Sequence, residues 1–186
     1  MKLEGITKSY GEKAVLNNLS LTIPETEITA ILAPSGSGKT TLLRIITGLE
    51  KPESGSVVFT KEEKFSYLFQ EDRLLPFCTV IDNIKFIGAD EKAALHFIEA
   101  VGLKGEEASL PAALSGGMKR RAALARALAC PDYTFLLLDE PFNGQDESNK
   151  QKLIALIKKE TAGKTCIVIT HSPEDAKSLT ENIKTL

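Results

Sequence analysis

The spacing of apolar residues predicts strands towards both ends of the chain and a run of helices in the middle. In "VLNNLSLTIP" (15–24) apolar and polar residues alternate, which is typical of a half-buried strand. "EITAIL" (27–32) is a more continuous apolar run, as found in strands covered on both faces. Further predicted strands are "SGSVVFT" (54–60), "KFSYLF" (64–69), "YTFLLLDE" (133–140) and "KTCIVITH" (164–171).

Helical spacing appears after the second strand, with "TTLLRIITGL" (40–49), and then dominates from Thr79 to about Leu128. Later helices are a long one whose apolar face includes Leu153, Ile154, Leu156 and Ile157, and a short one in "SPEDAKSL" (172–179). Strand and helix alternate on both sides of the central block. This order predicts one α/β domain over residues 1–186, with a largely parallel sheet, flanking helices and an inserted helical subdomain at about 76–130.

Composition changes this picture little but excludes several classes of protein. The 186 residues carry 23 basic and 25 acidic side chains, so we expect no domain-wide binding of nucleic acid. No apolar run is long enough to cross a bilayer and the N-terminus is polar, which predicts a cytosolic chain. The three cysteines are far apart and are interpreted as small buried hydrophobic residues.

The stretch "APSGSGKTTL" (33–42) lies between a predicted strand and a predicted helix and matches most of a phosphate-binding loop, G-x-x-x-x-G-K-[ST]. Gly36 and Gly38 allow a tight curl whose N–H groups grip phosphate oxygens, aided by the helix dipole. Lys39 is expected to reach the outer phosphates and Thr40 to offer its hydroxyl to Mg²⁺. The predicted nucleotide-binding residues are Pro34, Ser35, Gly36, Ser37, Gly38, Lys39, Thr40 and Thr41.

Ala33 stands where the pattern asks for glycine. A methyl group there costs little if the backbone φ is negative, and about 1–2 kcal/mol if φ is positive. The sequence leaves both alternatives open. Because the two glycines nearest the lysine are intact, we expect the loop still to bind nucleotide.

Two carboxylates follow the buried run "FLLL" (135–138), at the end of a strand where open α/β sheets bind ligands. Asp139 is predicted to hold Mg²⁺ through water, and Glu140 to polarise the water that attacks the γ-phosphate. Alone such a pair is weak evidence, because acidic residues are common in turns after strands. It gains weight from the phosphate loop earlier in the chain.

A second backbone-amide anion site is predicted at "LSGGMKRRAALARALA" (114–129), where Ser115, Gly116 and Gly117 form a turn at the start of a helix. With both anion sites in this order, the sequence resembles the nucleotide-binding ATPase domain of ABC proteins over essentially its whole length. The resemblance implies a P-loop NTPase core with an N-terminal antiparallel β region, and it implies ATP and Mg²⁺ as ligands. In that family "LSGG" is the signature motif, which clamps the γ-phosphate of an ATP held by another subunit.

Other residues match the family pattern one by one. Gln70 matches the Q-loop glutamine, which senses Mg²⁺ and water and couples the site to a membrane partner. His171 matches the switch histidine, which contacts the γ-phosphate and supports Glu140. Tyr10 matches the aromatic residue that stacks on adenine, and Asp146 matches the D-loop aspartate that bridges two subunits. His96 has no predicted partner and is interpreted as structural.

The sequence departs from the family at Met118, which replaces a common Gln, and at "FNGQD" (142–146), which replaces smaller and more apolar residues. We expect activity despite Met118, since backbone amides and Ser115 do most of the phosphate binding. The segment "FNGQD" leaves subunit communication in doubt. The chain ends soon after His171, so a C-terminal regulatory domain is not expected.

The resemblance also implies partners. Two copies, or two paired ATPase subunits, would enclose two ATPs, and the pair would drive a separate transmembrane permease from the cytoplasmic face of the membrane. The segment "FQEDRLLPFCTVIDNI" (69–84) resembles importer ATPases of the nitrate, sulfonate and taurine group, which work with a solute-binding protein. Whether residues 74–77 face the permease or the core is left open. Rival functions are an ATP-gated binding module with little hydrolysis and a soluble ABC ATPase outside transport.

Overall fold

The structure is a computed structural model that describes residues 1–34 and 36–186. Ser35, predicted to bind nucleotide, lies outside the described residues. The strands are β1 (Lys2–Tyr10), β2 (Lys13–Thr22), β3 (Ile28–Leu32), β4 (Ser54–Val58), β5 (Phe65–Leu68), β6 (Phe135–Asp139), β7 (Thr165–Thr170) and β8 (Ile183–Thr185). The helices are α1 (Lys39–Ile46), α2 (Val80–Lys85), α3 (Glu91–Ala100), α4 (Gly116–Ala129), α5 (Glu147–Glu160) and α6 (Pro173–Leu179), with a 3₁₀ turn at Pro111–Ala113.

A parallel sheet in the order β5-β6-β7-β3-β8 forms the centre of the molecule. Every residue of β6 and β7 is buried, because both faces of these strands are covered. Side chains of β6 alternate between two hydrophobic clusters, with Leu136 and Leu138 in one and Phe135 and Leu137 in the other. The continuous apolar runs of the sequence are thus explained by burial on two sides.

An antiparallel sheet in the order β2-β1-β4 packs on the second of these clusters together with α1. The sequence pattern did not predict β1. Irregular pairing with β2 between Leu3 and Ile6 places these two buried residues three apart instead of two. Buried and exposed residues therefore do not simply alternate, and a search for alternating apolar residues does not detect this strand.

The helices α2, α3 and α4 follow β5 and precede β6 in the sequence, and they share a core with one face of the parallel sheet. Each is preceded by a capping residue whose side chain accepts a hydrogen bond from the backbone N–H three positions later. The capping residues are Thr79, Asp90 and Ser115. The buried Asn83 accepts a bond from the Leu75 N–H and donates to the Leu75 and Cys78 carbonyls, which fixes the segment leading into α2. We propose this block as the inserted subdomain.

One smaller expectation needed correction. Only Cys166 of the three cysteines is buried, whereas Cys78 and Cys130 are half-buried, because they lie in connecting segments at the edge of the helical block. His96 is exposed on α3 and rests its ring against Phe97, with centroids 5.0 Å apart. Within the described residues, no helix has the length and apolar character needed to span a bilayer.

Candidate functional site: a nucleotide site at the strand ends

The carboxyl ends of three neighbouring parallel strands carry the predicted catalytic residues. The phosphate loop follows β3, Asp139 and Glu140 lie at the end of β6, and His171 directly follows β7. Since β6 pairs with β7 and β7 pairs with β3, these segments meet at one edge of the sheet. This edge is where open α/β sheets bind ligands.

The loop before α1 needs glycine at two described positions. Gly36 and Gly38 have φ of +80° and +89°, a region that other L-residues rarely adopt. A Cβ on Gly38 would also lie 2.7 Å from a Val15 methyl and 2.9 Å from the Val15 carbonyl oxygen. The Ser37 N–H and hydroxyl both bond to the Pro34 carbonyl, at 3.3 and 2.9 Å, which closes the turn.

Ala33 is buried and donates its N–H to the Thr170 carbonyl at 3.2 Å. Ala33 is not among the non-glycine residues that have a positive φ in the described part of the chain. Of the two alternatives left open by the sequence, the structure supports the unstrained one. The missing glycine therefore does not distort the loop.

Lys39, Glu140 and His171 form a chain of polar contacts. The Lys39 Nζ lies 2.6 Å from Glu140 Oε1, and His171 Nδ1 lies 2.9 Å from Glu140 Oε2. The lysine and glutamate side chains are about nine-tenths buried, whereas the histidine side chain is mostly exposed. Glu140 itself has a φ of +52°, a conformation that costs about 1–2 kcal/mol for a non-glycine residue. Both carboxylate oxygens of Glu140 are therefore engaged, one by the lysine of the phosphate loop and the other by His171.

Thr40, Gln70 and Asp139 gather oxygen atoms at the start of α1. The Thr40 hydroxyl lies 3.2 Å from Asp139 Oδ2 and 3.3 Å from Gln70 Oε1. The other carboxylate oxygen, Asp139 Oδ1, is buried with no hydrogen-bond partner among the described residues. Burial is the main cause that raises the pKa of Asp139, opposed by the Thr40 hydrogen bond. An orphaned carboxylate oxygen beside a hydroxyl and an amide oxygen fits a hard cation such as Mg²⁺.

Tyr10 stands at the mouth of the loop with its ring about half exposed. Its hydroxyl donates to Glu50 Oε1 at 2.5 Å and lies 3.4 Å from the Thr41 hydroxyl. Lys8 lies 3.2 Å from the same Glu50 oxygen and 5.5 Å from the centre of the Tyr10 ring. A cavity of about 270 Å³ joins this ring to the loop, lined by Tyr10, Val15, Gly36, Gly38, Lys39, Thr40, Thr41 and Gln70.

The predicted signature turn lies on the helical block, at the start of α4. Ser115 and Gly116 are exposed, and the Ser115 hydroxyl accepts a hydrogen bond from the Met118 N–H at 3.3 Å. Met118 itself packs against the core of the helical block, a role that needs no amide side chain. None of the hydrogen bonds described for this turn goes to the phosphate loop.

The segment "FNGQD" (142–146), which departs from the family pattern, has a structural role in this chain. The Gln145 side-chain amide donates to the Gly117 carbonyl at 3.0 Å, and a Cβ on Gly117 would lie 2.7 Å from the Gly144 carbonyl oxygen. The loop before α5 therefore packs closely on the signature turn of the same chain. Asp146 caps α5 by accepting the Asn149 N–H at 2.9 Å, a bond that is the main cause lowering the pKa of Asp146.

Comparison with known proteins agrees with this geometry. The sequence profile described as "ABC transporter" matches residues 16–143, which is more than half of the chain. The chain belongs to the ABC transporter family. It is an ATPase domain of that family and binds ATP.

Two curated relatives of this ABC ATPase differ in the transport they serve. The aliphatic sulfonates import ATP-binding protein SsuB 2 of Pseudomonas syringae pv. tomato is 41% identical, over 95% of this chain and 77% of its own length. The intermembrane phospholipid transport ATP-binding protein MlaF of Escherichia coli K12 is 35% identical, over 97% of this chain and 76% of its own length. The predicted kinship with sulfonate importers is confirmed.

A solved structure gives the fold at higher coverage. The dimeric post-hydrolysis state of the ATP-binding cassette MJ0796, bound to ADP and Pi, superposes with a TM-score of 0.91 at 33% identity. It covers 100% of this chain and 93% of the other. The predicted ABC-type ATPase fold, with its antiparallel N-terminal region and parallel sheet, is confirmed.

Sequence reasoning missed two side chains of the site. Glu50, which holds the Tyr10 hydroxyl, follows α1 in a segment without any motif. Arg120 lies on the buried face of α4, one turn before Leu124, and is 4% exposed. A charged residue on the apolar face of a helix could have been noticed in "GGMKRRAALARALA", but only the fold supplies its partners.

Proposed function

We propose that this chain is the ATP-hydrolysing subunit of an importer of the ABC class and drives a separate transmembrane permease. The observation that carries the proposal is the meeting of Lys39, Glu140 and His171 with the Thr40, Gln70 and Asp139 oxygens at one sheet edge. A module that only bound nucleotide would not need a carboxylate and a histidine in hydrogen-bond contact beside the phosphate loop.

Each residue has a distinct task in this proposal. The loop N–H groups and Lys39 bind the phosphates, and Tyr10 stacks on the adenine ring. Glu140 accepts a proton from the attacking water, and His171 holds the Glu140 carboxylate and contacts the γ-phosphate. Thr40, Gln70 and Asp139 would hold Mg²⁺, which when bound supplies positive charge to the phosphate oxygens. The catalysis is mostly positioning and charge stabilisation.

The second half of each ATP site comes from another copy of the chain or from a paired ATPase subunit. Ser115, Gly116 and Gly117 are exposed or half-buried at the N-terminus of a 14-residue helix, whose first N–H groups have no intrahelical partner. In the proposed dimer these groups grip the γ-phosphate of the ATP held by the other subunit, and Asp146 lies at the contact between subunits. ATP therefore holds the dimer together, and hydrolysis releases it.

The permease is proposed to dock in a groove of about 340 Å³ beside the Q-loop, between β5 and the helical block. Its lining is largely aromatic and aliphatic, and the Arg126 guanidinium braces it by donating to the Asp72 and Arg73 carbonyls at 2.8 Å each. Phe86 borders the groove and is 74% exposed. Of the segment 74–77, Leu74 packs against the helical core, Leu75 lines the groove, and Pro76 and Phe77 are exposed, which favours a partner-facing role for residues 75–77.

This arrangement sets the protein at the cytoplasmic face of the membrane, attached through the permease. The likeness to a sulfonate-import protein and the segment 69–84 support import as the direction of transport. A solute-binding protein would deliver the substrate to the permease, and the identity of that substrate is not encoded in this subunit. No nucleic acid is expected as a partner.

The decisive experiment measures ATP turnover by the wild-type chain and by Glu140→Gln, each with the cognate permease. Stimulated turnover that Glu140→Gln abolishes supports a transport ATPase. ATP binding without turnover would instead favour an ATP-gated module. Turnover that the permease does not stimulate would favour a soluble ABC ATPase. Phe86→Ser is expected to lose the stimulation, with Leu95→Ser, another exposed apolar residue, as the control.

A further inference from the structure

The guanidinium of Arg120 joins the signature helix to the Q-loop. Arg120 Nη1 donates to the Phe69 carbonyl at 2.6 Å and to the Gln70 carbonyl at 3.2 Å, and it lies 3.2 Å from Asp72 Oδ1. The arginine side chain is 5% exposed. A buried guanidinium is held in place by such acceptors, since it carries five donors and no acceptor of its own.

The same guanidinium also reaches the end of β6. Arg120 Nη2 donates to the carbonyls of Asp139 and Glu140, and Nε donates to the Glu140 carbonyl at 3.2 Å. Two main-chain bonds add to this support: the Glu140 carbonyl accepts from the Asn143 N–H at 3.2 Å, and the Glu140 N–H donates to the Ile169 carbonyl at 2.9 Å. Because Glu140 has a positive φ, its backbone needs this external support to keep the carboxylate at Lys39.

Arg120 lies in the second turn of α4, three residues after the last residue of the signature turn, Gly117. One side chain therefore ties the surface proposed to meet the partner's ATP to the Q-loop and to the catalytic glutamate of its own subunit. We infer that Arg120 is a positioning residue, which holds the Gln70 and Glu140 main chains in register with the signature turn. The inference rests on the proposed ATPase function and adds a residue to it.

The test compares Arg120→Gln, Arg120→Lys and Arg121→Gln in the full-length chain. Arg121 is the matched control, because its guanidinium also donates to backbone carbonyls, those of Val101 and Gly102, but only within the helical block. We expect Arg120→Gln to lower kcat by roughly 10- to 100-fold, as misplaced catalytic groups do, with the Kd for ATP changed by less than about threefold. Arg120→Lys keeps the charge and should recover part of kcat, while Arg121→Gln should keep kcat within about twofold.

Thermal unfolding of each variant separates positioning from stability. If Arg120→Gln and Arg121→Gln lose melting temperature alike and neither loses kcat below the transition, Arg120 is only structural and the inference is overturned. If Arg120→Gln does not fold, Arg120→Lys decides. A kcat at least about threefold below wild type at unchanged ATP affinity supports the inference, and a wild-type kcat overturns it. Failure of the wild-type chain itself to hydrolyse ATP would instead reject the proposed function.

Discussion

The two halves of the proposed ATP site differ in how they are built. The half at the strand ends is buried and paired within one chain: Lys39 is 9% exposed, Glu140 8% and Asp139 0%. The signature turn is open, and Ser115 and Gly116 face solvent. A buried charge needs a partner group within its own subunit. The unpaired N–H groups of an exposed helix start, in contrast, remain accessible to a ligand bound by another molecule. In the proposed function, this contrast assigns nucleotide binding to one chain and hydrolysis to two.

Removal of the lysine from the buried half should have the largest effect. Lys39→Met loses a charge-assisted contact to phosphate, so we expect ATP affinity to fall on the order of 100-fold. It also leaves Glu140 buried without its cation, which should cost about 3 kcal/mol of unfolding free energy. Titration calorimetry and urea unfolding measure the two effects, with the exposed Lys158→Met as the control. Unchanged ATP affinity would contradict the role given to Lys39.

A methyl group in the open half should destabilise the signature turn and spare nucleotide binding. In Gly117→Ala the new Cβ meets the Gly144 carbonyl oxygen at 2.7 Å, so the turn must move, at a cost of about 1–3 kcal/mol. For Gly116→Ala nothing lies within 4 Å, and stability should change by less than about 1 kcal/mol. Melting temperature and ATP binding by each variant check this pair. Weaker ATP binding by the Gly117→Ala monomer would contradict the division between the two halves.

A smaller effect on stability is expected at Gln145, whose side chain links the loop before α5 to the signature turn. Gln145→Ala removes the bond to the Gly117 carbonyl and should lower the unfolding free energy by about 1 kcal/mol. Gln151→Ala is the control, since among the described residues that amide bonds to the exposed Glu147 on the same helix alone. Chemical denaturation of both variants measures the difference. Equal stability of the two would show that the Gln145 bond contributes nothing.

The smallest effect is expected at Ala33. Ala33→Gly restores the residue that the loop pattern asks for, yet ATP affinity should stay within about twofold because φ is not positive there. The unfolding free energy should fall by about 1 kcal/mol, from a lost buried methyl and a more flexible unfolded chain. A gain in ATP affinity above about tenfold would show that Ala33 weakens the site.

How far the sequence predicted the molecule depends on whether the signal was local. The phosphate loop, the FLLL run and the signature turn each combine a turn with a periodic segment, so their elements were predicted closely. β1 was missed because its bulge breaks the alternation, and β8 was missed because three residues carry too weak a pattern. Long-range partners were out of reach, because only the fold brings them near: Arg120 donates to carbonyls 19 to 51 residues away, and Gln145 donates to the Gly117 carbonyl 28 residues away.

The roles of His171 and Asp146 were transferred from a family pattern, whereas that of Glu140 was argued from its place after a buried strand, and their geometry suits those roles to different degrees. Glu140 and His171 are in direct contact, at 2.9 Å. Asp146 caps its own helix, and its predicted place between subunits stays a prediction. The open half of the site has no partner groups for sequence or a single chain to reveal, because in the proposed dimer its ligand is bound by the other subunit.

The most direct test of the two-chain site is the molar mass of Glu140→Gln, measured by light scattering with and without Mg-ATP. Blocked hydrolysis should trap the ATP-bound assembly, so the mass should double on addition of ATP and return to that of one chain when ATP is removed. A variant that stays monomeric while saturated with ATP, beside a wild-type chain that is fully active as a monomer, would contradict the account.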